Sequence, residues 1–128
     1  MSRASVDADF AEVVLEWAEL LGDEGISITL TSGFRTLQEQ RRLYARLGRV
    51  GLAAQPGRSY HNYGLALDFV ATPRSAQARA GRLAESLGLR WGGRFHPPDP
   101  VHIDAGNYVP IDQAAAEGYP ITLVTLEA

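Results

Sequence analysis

The chain holds three histidines, His61, His96 and His102, and no cysteine. Any metal site must therefore draw on His, Asp or Glu. Disulfides, thiolate zinc fingers, iron–sulfur clusters and cysteine nucleophiles are excluded together. His61 stands seven residues before Asp68, and Asp99 three residues before His102. Two imidazoles and one carboxylate, those of His61, Asp68 and His102, suit Zn²⁺ and leave a fourth position for water. A metal so held polarises a carbonyl and makes water a nucleophile near neutral pH. Another carboxylate must then take the water's proton and pass it to the leaving amine, and the spacing of Asp99 from His102 fits it for that task. Spacing alone does not separate this set from loop histidines that hold no metal. Asp68 is awkward for that plainer reading, because it interrupts an apolar run from Gly64 to Val70. A buried carboxylate is costly unless it is paired or metal-bound. In a metal-free fold, Arg35 is the cation that could pair with it.

The elements that must position these residues are legible from periodicity. Phe10, Val13, Val14, Trp17, Leu20 and Leu21 recur at helical spacing, predicting a helix over 8–21 with Asp7 or Asp9 as its cap and Gly22 just past its end. Ile26 to Thr31 alternates and is rich in β-branched residues, so it reads as a strand. Thr36 and Glu39 form a capping box in front of a second helix that ends at Gly48. Residues 49–63 read as a loop delivering His61, and Gly64 to Val70 as a buried strand carrying Asp68. Thr72-Pro73 has the form of a cap followed by proline at the first helical position, opening a helix closed by Gly88. Leu89 to Trp91 and Val101 to Asp104 read as short strands on either side of a Gly/Pro-rich loop. Asp104 falls on the same strand face as His102 and either orients that ligand or caps the strand end. Pro110 to Glu117 reads as a last helix, and Ile121 to Leu126 as a strand or an arm leading to a further segment. Helices and strands mix without regular βαβ alternation, which predicts an α+β fold with an antiparallel sheet flanked by helices.

Composition sets the outer bounds. The 128 residues, 45% hydrophobic and 21% charged, fit one domain over 1–128 with a sizeable core. The net charge of −3 argues against broad nucleic-acid binding, which needs a basic face. No apolar run approaches the roughly 20 residues of a membrane span, and the first residues lack the apolar stretch of a signal peptide.

The residues around the candidate ligands are more specific than their spacing. Ser59-x-His61-x-x-Gly64-x-Ala66-x-Asp68 resembles the S-x-H-x-x-G-x-A-x-D signature of the M15 zinc peptidases, which cut bacterial cell-wall peptides. Three further segments match in order. Ser32-Gly33-Phe34-Arg35-Thr36 is similar to the family's S-G-[FY]-R-[ST] segment, followed by a helix containing Gln38. Trp91-Gly92-Gly93 resembles its W-G-G turn, and Asp99-Pro100-Val101-His102 its D-x-x-H segment. The resemblance covers roughly residues 26–105. It implies a hedgehog/D,D-peptidase-like zinc fold with one zinc ion on His61, Asp68 and His102. Asp99 would be the general base and acid. Arg35, with Ser59 beside it, would hold a substrate carboxylate or the charge developing on the scissile carbonyl, a role for which a guanidinium offers two parallel donors.

The implied substrate is a peptidoglycan stem peptide. Aspartate rather than glutamate at position 99 is more similar to the L-alanyl-D-glutamate endopeptidases, phage endolysins among them, than to the D-alanyl-D-alanine carboxypeptidases, the second enzymatic reading. The sequence departs from the endopeptidase pattern at Arg94, where an acidic residue often follows W-G-G, and at His96-Pro97-Pro98 on the approach to Asp99. The expectation is a monomer without nucleic-acid or membrane partners, cytoplasmic until released or virion-associated, and acting on the cell wall. Two readings of another class stay open here: a zinc-containing binding module without turnover, as in the hedgehog domains that resemble these peptidases, or a structural part of a phage tail.

Overall fold

The computed structural model describes residues 1–128, the side chain of Arg49 excepted. The elements in chain order are β1 (Arg3–Asp7), α1 (Ala8–Asp23), β2 (Ser27–Ser32), α2 (Leu37–Leu47), β3 (Ala66–Thr72), α3 (Gln77–Ser86), β4 (Arg90–Trp91), β5 (His102–Asp104), α4 (Ile111–Ala116) and β6 (Leu123–Glu127). Four strands form an antiparallel sheet in the order β2-β3-β5-β4, and β1 pairs with β6 in a separate two-stranded ribbon. The predicted α+β architecture with an antiparallel sheet is the one observed.

Strand alternation divides the sheet into two chemistries. Leu67, Phe69 and Ala71 of β3 and Ile103 of β5 are buried on one face. There α1 supplies Phe10, Val14, Trp17 and Leu21, and α3 supplies Ala80, Leu83 and Ala84. Trp17 meets the edge of Phe69 with ring centroids 4.8 Å apart. Its indole N–H donates to the Ala80 carbonyl at 2.9 Å, so α1, α3 and β3 share one anchor. Truncating a side chain buried like this costs about 3–5 kcal/mol. The opposite face of the same strands carries Asp68, His102 and Asp104, displaced from the core by one residue in each case.

Several local expectations needed correction. Gly22 lies inside α1, which runs on to Asp23 and is closed by Gly25 at φ 71°. Two more residues of helix are gained because the Glu24 N–H and the Ile26 N–H both return to the last turn. Thr72 ends β3 rather than capping a helix. A 3₁₀ turn over Arg74–Ala76 follows Pro73, and α3 begins only at Gln77. The second helix, by contrast, is as expected: the capping box of Thr36 and Glu39 is present and α2 ends with Gly48 as its C-cap, after which a separate 3₁₀ turn over Gly48–Val50 closes at Gly51. Residues 3–7, which carried no strand expectation, form β1. They do so because β6 supplies a partner 120 residues away, pairing Ser5 with Thr125. Residues 121–126 are therefore no free arm: β6 is a strand, and Leu126 is buried opposite Ala4.

Candidate metal centre and cleft

The register of β3 against β5 brings the two ligand-bearing strands together, with Asp68 directly opposite His102. Cross-strand partners in an antiparallel pair have Cβ atoms about 5 Å apart, close enough for both side chains to meet one ion. His61 arrives from a 3₁₀ turn over Tyr60–Tyr63. Ser59 caps that turn, its hydroxyl accepting from the His61 backbone N–H at 3.2 Å. The turn is tied to the exit of β2, because the Arg35 N–H donates to the His61 carbonyl at 2.9 Å.

Each imidazole has one nitrogen committed and one presented. His61 Nδ1 donates to the Gly33 carbonyl at 2.8 Å, leaving Nε2 facing Asp68 Oδ1 at 3.1 Å. His102 is turned the other way. Its Nε2 donates to Asp104 Oδ2 at 2.7 Å, and its Nδ1 faces Asp68 Oδ1 at 3.2 Å. The ligand atoms of His61, Asp68 and His102 lie within 4.8 Å of one another. Each ring thus has an oxygen at both nitrogens, so the two contacts at Asp68 need either protons or a cation between them. A borderline-soft divalent ion with two nitrogen donors and one oxygen donor meets that need, and Zn²⁺ fits the set.

The electrostatics agree. Burial acts to raise the Asp68 carboxyl, but hydrogen bonds from His102 and His61 outweigh it and hold the group well below the usual carboxylate range. Burial opposes a charge on His102, yet its bonds to Asp104 and Asp68 raise it to about 9. Asp104 is itself fully buried, and its bonds to His102 and Arg90 keep it ionised against that burial.

The centre opens into a cleft of about 280 Å³ lined by Arg35, Ser59, His61, Asp68, Asp99 and His102, with Leu52 and Phe95 among its walls. All six residues singled out from the sequence are thus brought together. Asp99 is held by its backbone: its N–H donates to the Gly92 carbonyl at 2.7 Å, and its own carbonyl accepts from the His102 N–H at 3.1 Å. Gly92 has no room for a side chain, because a Cβ there would collide with the Asp99 carbonyl oxygen. Trp91 packs in the core and reaches the Pro100 carbonyl with its indole N–H at 2.9 Å, fixing the far end of the same loop. Partial burial raises the Asp99 carboxyl, and the negative charge of Asp68 adds to it. His96 is exposed on this loop, in a neighbouring groove with Pro97 and Pro98, and takes no place among the ligands.

Arg35 is not the partner of Asp68. Its guanidinium donates to Gln40 Oε1 at 2.8 Å and to Ser32 Oγ at 3.1 Å. Gln40, not Gln38, is therefore the glutamine of this segment that matters. It is buried, orients Arg35 and donates to the Ala54 carbonyl across the cleft wall at 2.8 Å. One turn of helix separates Thr36 from Gln40, so the position follows from helical geometry once Arg35 is placed. Asp104 and Arg90 also lay outside the candidate set. Asp104 could be seen by its two-residue offset from His102; Arg90 becomes visible only through the β4–β5 register, which sets it opposite Asp104.

A His-Asp-His centre on an antiparallel sheet, with a carboxylate and an arginine in the same cleft, is the architecture of a metallopeptidase of the D,D-peptidase type. The chain belongs to the VanY family of D-alanyl-D-alanine carboxypeptidases, whose family model matches residues 3–89. It is 30% identical to the peptidoglycan L-alanyl-D-glutamate endopeptidase CwlK of Bacillus subtilis, over 69% of this chain and 68% of that protein. Among solved structures, it shares its fold with the vancomycin resistance D,D-pentapeptidase VanY in complex with Zn(II). The TM-score is 0.63 at 19% identity, over 87% of this chain and 76% of that one. It also shares its fold with the L-Ala D-Glu endopeptidase ChiX of Serratia marcescens, at a TM-score of 0.58 and 22% identity, over 77% of this chain and 79% of that one.

Proposed function

We propose that the protein is a zinc-dependent peptidoglycan peptidase that hydrolyses the bond between L-Ala and D-Glu of cell-wall stem peptides. The observation that carries this reading is the convergence of His61 Nε2, Asp68 Oδ1 and His102 Nδ1 beneath a cleft that also holds Asp99 and Arg35. His61, Asp68 and His102 would hold the zinc ion, which would supply the Lewis acidity that lowers the proton affinity of a water and polarises the scissile carbonyl. Asp99 takes the proton of the attacking water and delivers it to the leaving amine of D-Glu. Among the described residues its carboxylate accepts no hydrogen bond, which leaves it free to do both, and its raised proton affinity suits the second task. Arg35, steadied by Gln40 and Ser32, has further N–H donors for the free α-carboxylate of a γ-linked D-Glu or for the developing oxyanion. Ser59 lines the same cleft and contributes a hydroxyl beside that group.

The likeness to CwlK and the aspartate at position 99 support the endopeptidase over the carboxypeptidase. The VanY family match supports release of a terminal D-Ala as the second reading. Digestion of purified peptidoglycan with the zinc-loaded protein and with Asp99→Ala, read by mass spectrometry, separates the two. A new D-Glu amino terminus that falls by about 10²–10⁴-fold in the variant, with zinc affinity retained, is the expected result. Free D-Ala would assign the carboxypeptidase. Absence of products from several wall types, with zinc bound, would point to a binding module.

A further inference from the structure

The buried acid behind His102 is not one of the three candidate ligand residues, and it is built into the sheet with unusual completeness. Asp104 has no solvent exposure. Its Oδ2 accepts from His102 Nε2 at 2.7 Å and from Arg90 at 2.6 Å, while Oδ1 accepts from Arg90 Nε at 2.8 Å and from the Gly106 N–H at 2.8 Å. Arg90 thus grips the carboxylate with two parallel bonds. Its guanidinium lies 5.2 Å from the Tyr60 ring centroid and 4.8 Å from that of Phe95. Tyr60 is fixed by its hydroxyl donating to the Val109 carbonyl at 2.7 Å. Phe95 belongs to the loop that carries Asp99, and its ring also packs at a tilt against His102, with centroids 5.7 Å apart. The β4–β5 and β3–β5 registers stack Arg90, Asp104 and Ala66 side by side, so the support comes from the sheet itself.

We propose that Asp104 is a positioning residue of the metal centre: it locks His102 in the Nε2–H tautomer and ring orientation that present Nδ1 to the ion, and Arg90 holds Asp104 for that purpose. An imidazole ligand needs its second nitrogen fixed, because a ring free to rotate or to change tautomer offers the metal a lone pair only part of the time. A neutral His102 with its proton on Nδ1 could not bind the ion through that atom at all. Asp104, an acceptor with no proton to give, selects against that form. The clamp by Tyr60 and Phe95 removes freedom from Arg90 and links the ligand to the loop that bears Asp99. The inference rests on the ligand assignment proposed above.

Zinc affinity measured by chelator competition, for the wild-type protein and for Asp104→Ala, Asp104→Asn and Arg90→Met, tests it independently of peptidase activity. Asp104→Ala is expected to bind zinc about 10–100-fold more weakly. Asp104→Asn, which keeps an oxygen for the Nε2 proton, should recover much of that loss, and Arg90→Met should fall between the two. Wild-type affinity in Asp104→Ala would overturn the proposal. Because that variant removes a buried charge and could fail to fold, a second measurement uses the intact protein: nitrogen NMR of the ¹¹³Cd-loaded chain. Metal coupling at Nδ1 of His102 with a proton retained on Nε2 is expected; coupling through Nε2 would overturn the proposal. A wild-type protein that binds neither ion would instead overturn the ligand assignment itself.

Discussion

At the level of single residues, the centre is a competition between protons and a cation. Without a metal, its hydrogen bonds to Asp104 and Asp68 raise His102 to about 9, so near neutral pH its ring carries an extra proton. Binding an ion at Nδ1 must expel that proton, and the expelled proton makes affinity depend on pH. The direction follows: lowering the pH favours the protonated ring and weakens metal binding. Raising the pH strengthens binding until His102 is already neutral, above about 9. Zinc affinity is expected to weaken about tenfold between pH 8 and pH 7, read by competition against a chelator of known pH dependence. A flat profile would mean that His102 gives up no proton. Asp68 adds nothing to this slope, because its carboxyl is held ionised throughout that range.

At the level of elements, two glycines show what decides whether backbone can carry a side chain. Gly92 opens the loop that carries Asp99, and a Cβ there would meet the Asp99 carbonyl and lie 3.0 Å from the His102 Cβ. Neither neighbour is the flexible end of a side chain, so Gly92→Ala must push the loop away from β5. The expected cost is about 1–3 kcal/mol in denaturant unfolding. A loss of turnover near 10²-fold should accompany it, since a misplacement of about 1 Å suffices for that. Gly22 is the opposite case. It sits inside α1, and a Cβ added there would meet nothing within 4 Å, so Gly22→Ala should stabilise the protein by about 0.5–1 kcal/mol. If both substitutions behaved alike, the contact at Asp99 would not be the governing term.

At the level of the whole molecule, the ribbon of β1 and β6 closes the chain on itself and braces the exit of β2. Asp7 is its buried centre. One carboxylate oxygen caps α1 by accepting from the Asp9 N–H at 3.0 Å, and the other accepts from the Ile121 and Thr122 N–H groups at 2.7 and 3.1 Å. Ser5, in the same strand, accepts through its carbonyl from the Phe34 N–H, beside the Gly33 carbonyl that orients His61. A chain ending at Pro120 keeps every candidate ligand but strands Asp7 and uncovers Val6. Its unfolding free energy should drop by at least about 2 kcal/mol, with zinc affinity reduced because Gly33 loses its brace. Unchanged stability in a denaturant titration would show that the ribbon is dispensable.

The sequence by itself determined the family, the candidate ligand set and the class of fold. Those rest on local facts: ordered short motifs, helical and strand periodicity, and a carboxylate inside an apolar strand that had to be compensated. Thr36 and Glu39 found their box for the same reason, since both partners lie within one turn of helix. What only the tertiary structure decided depends on partners distant in the chain. Residues 3–7 become a strand because 123–127 come back to pair with them. Arg35 pairs with Gln40 and Ser32, while Asp68 takes His61 and His102, and the spacing of these residues does not tell which pairing forms. Arg90 reaches Asp104 because strand register, which no local pattern encodes, sets them side by side.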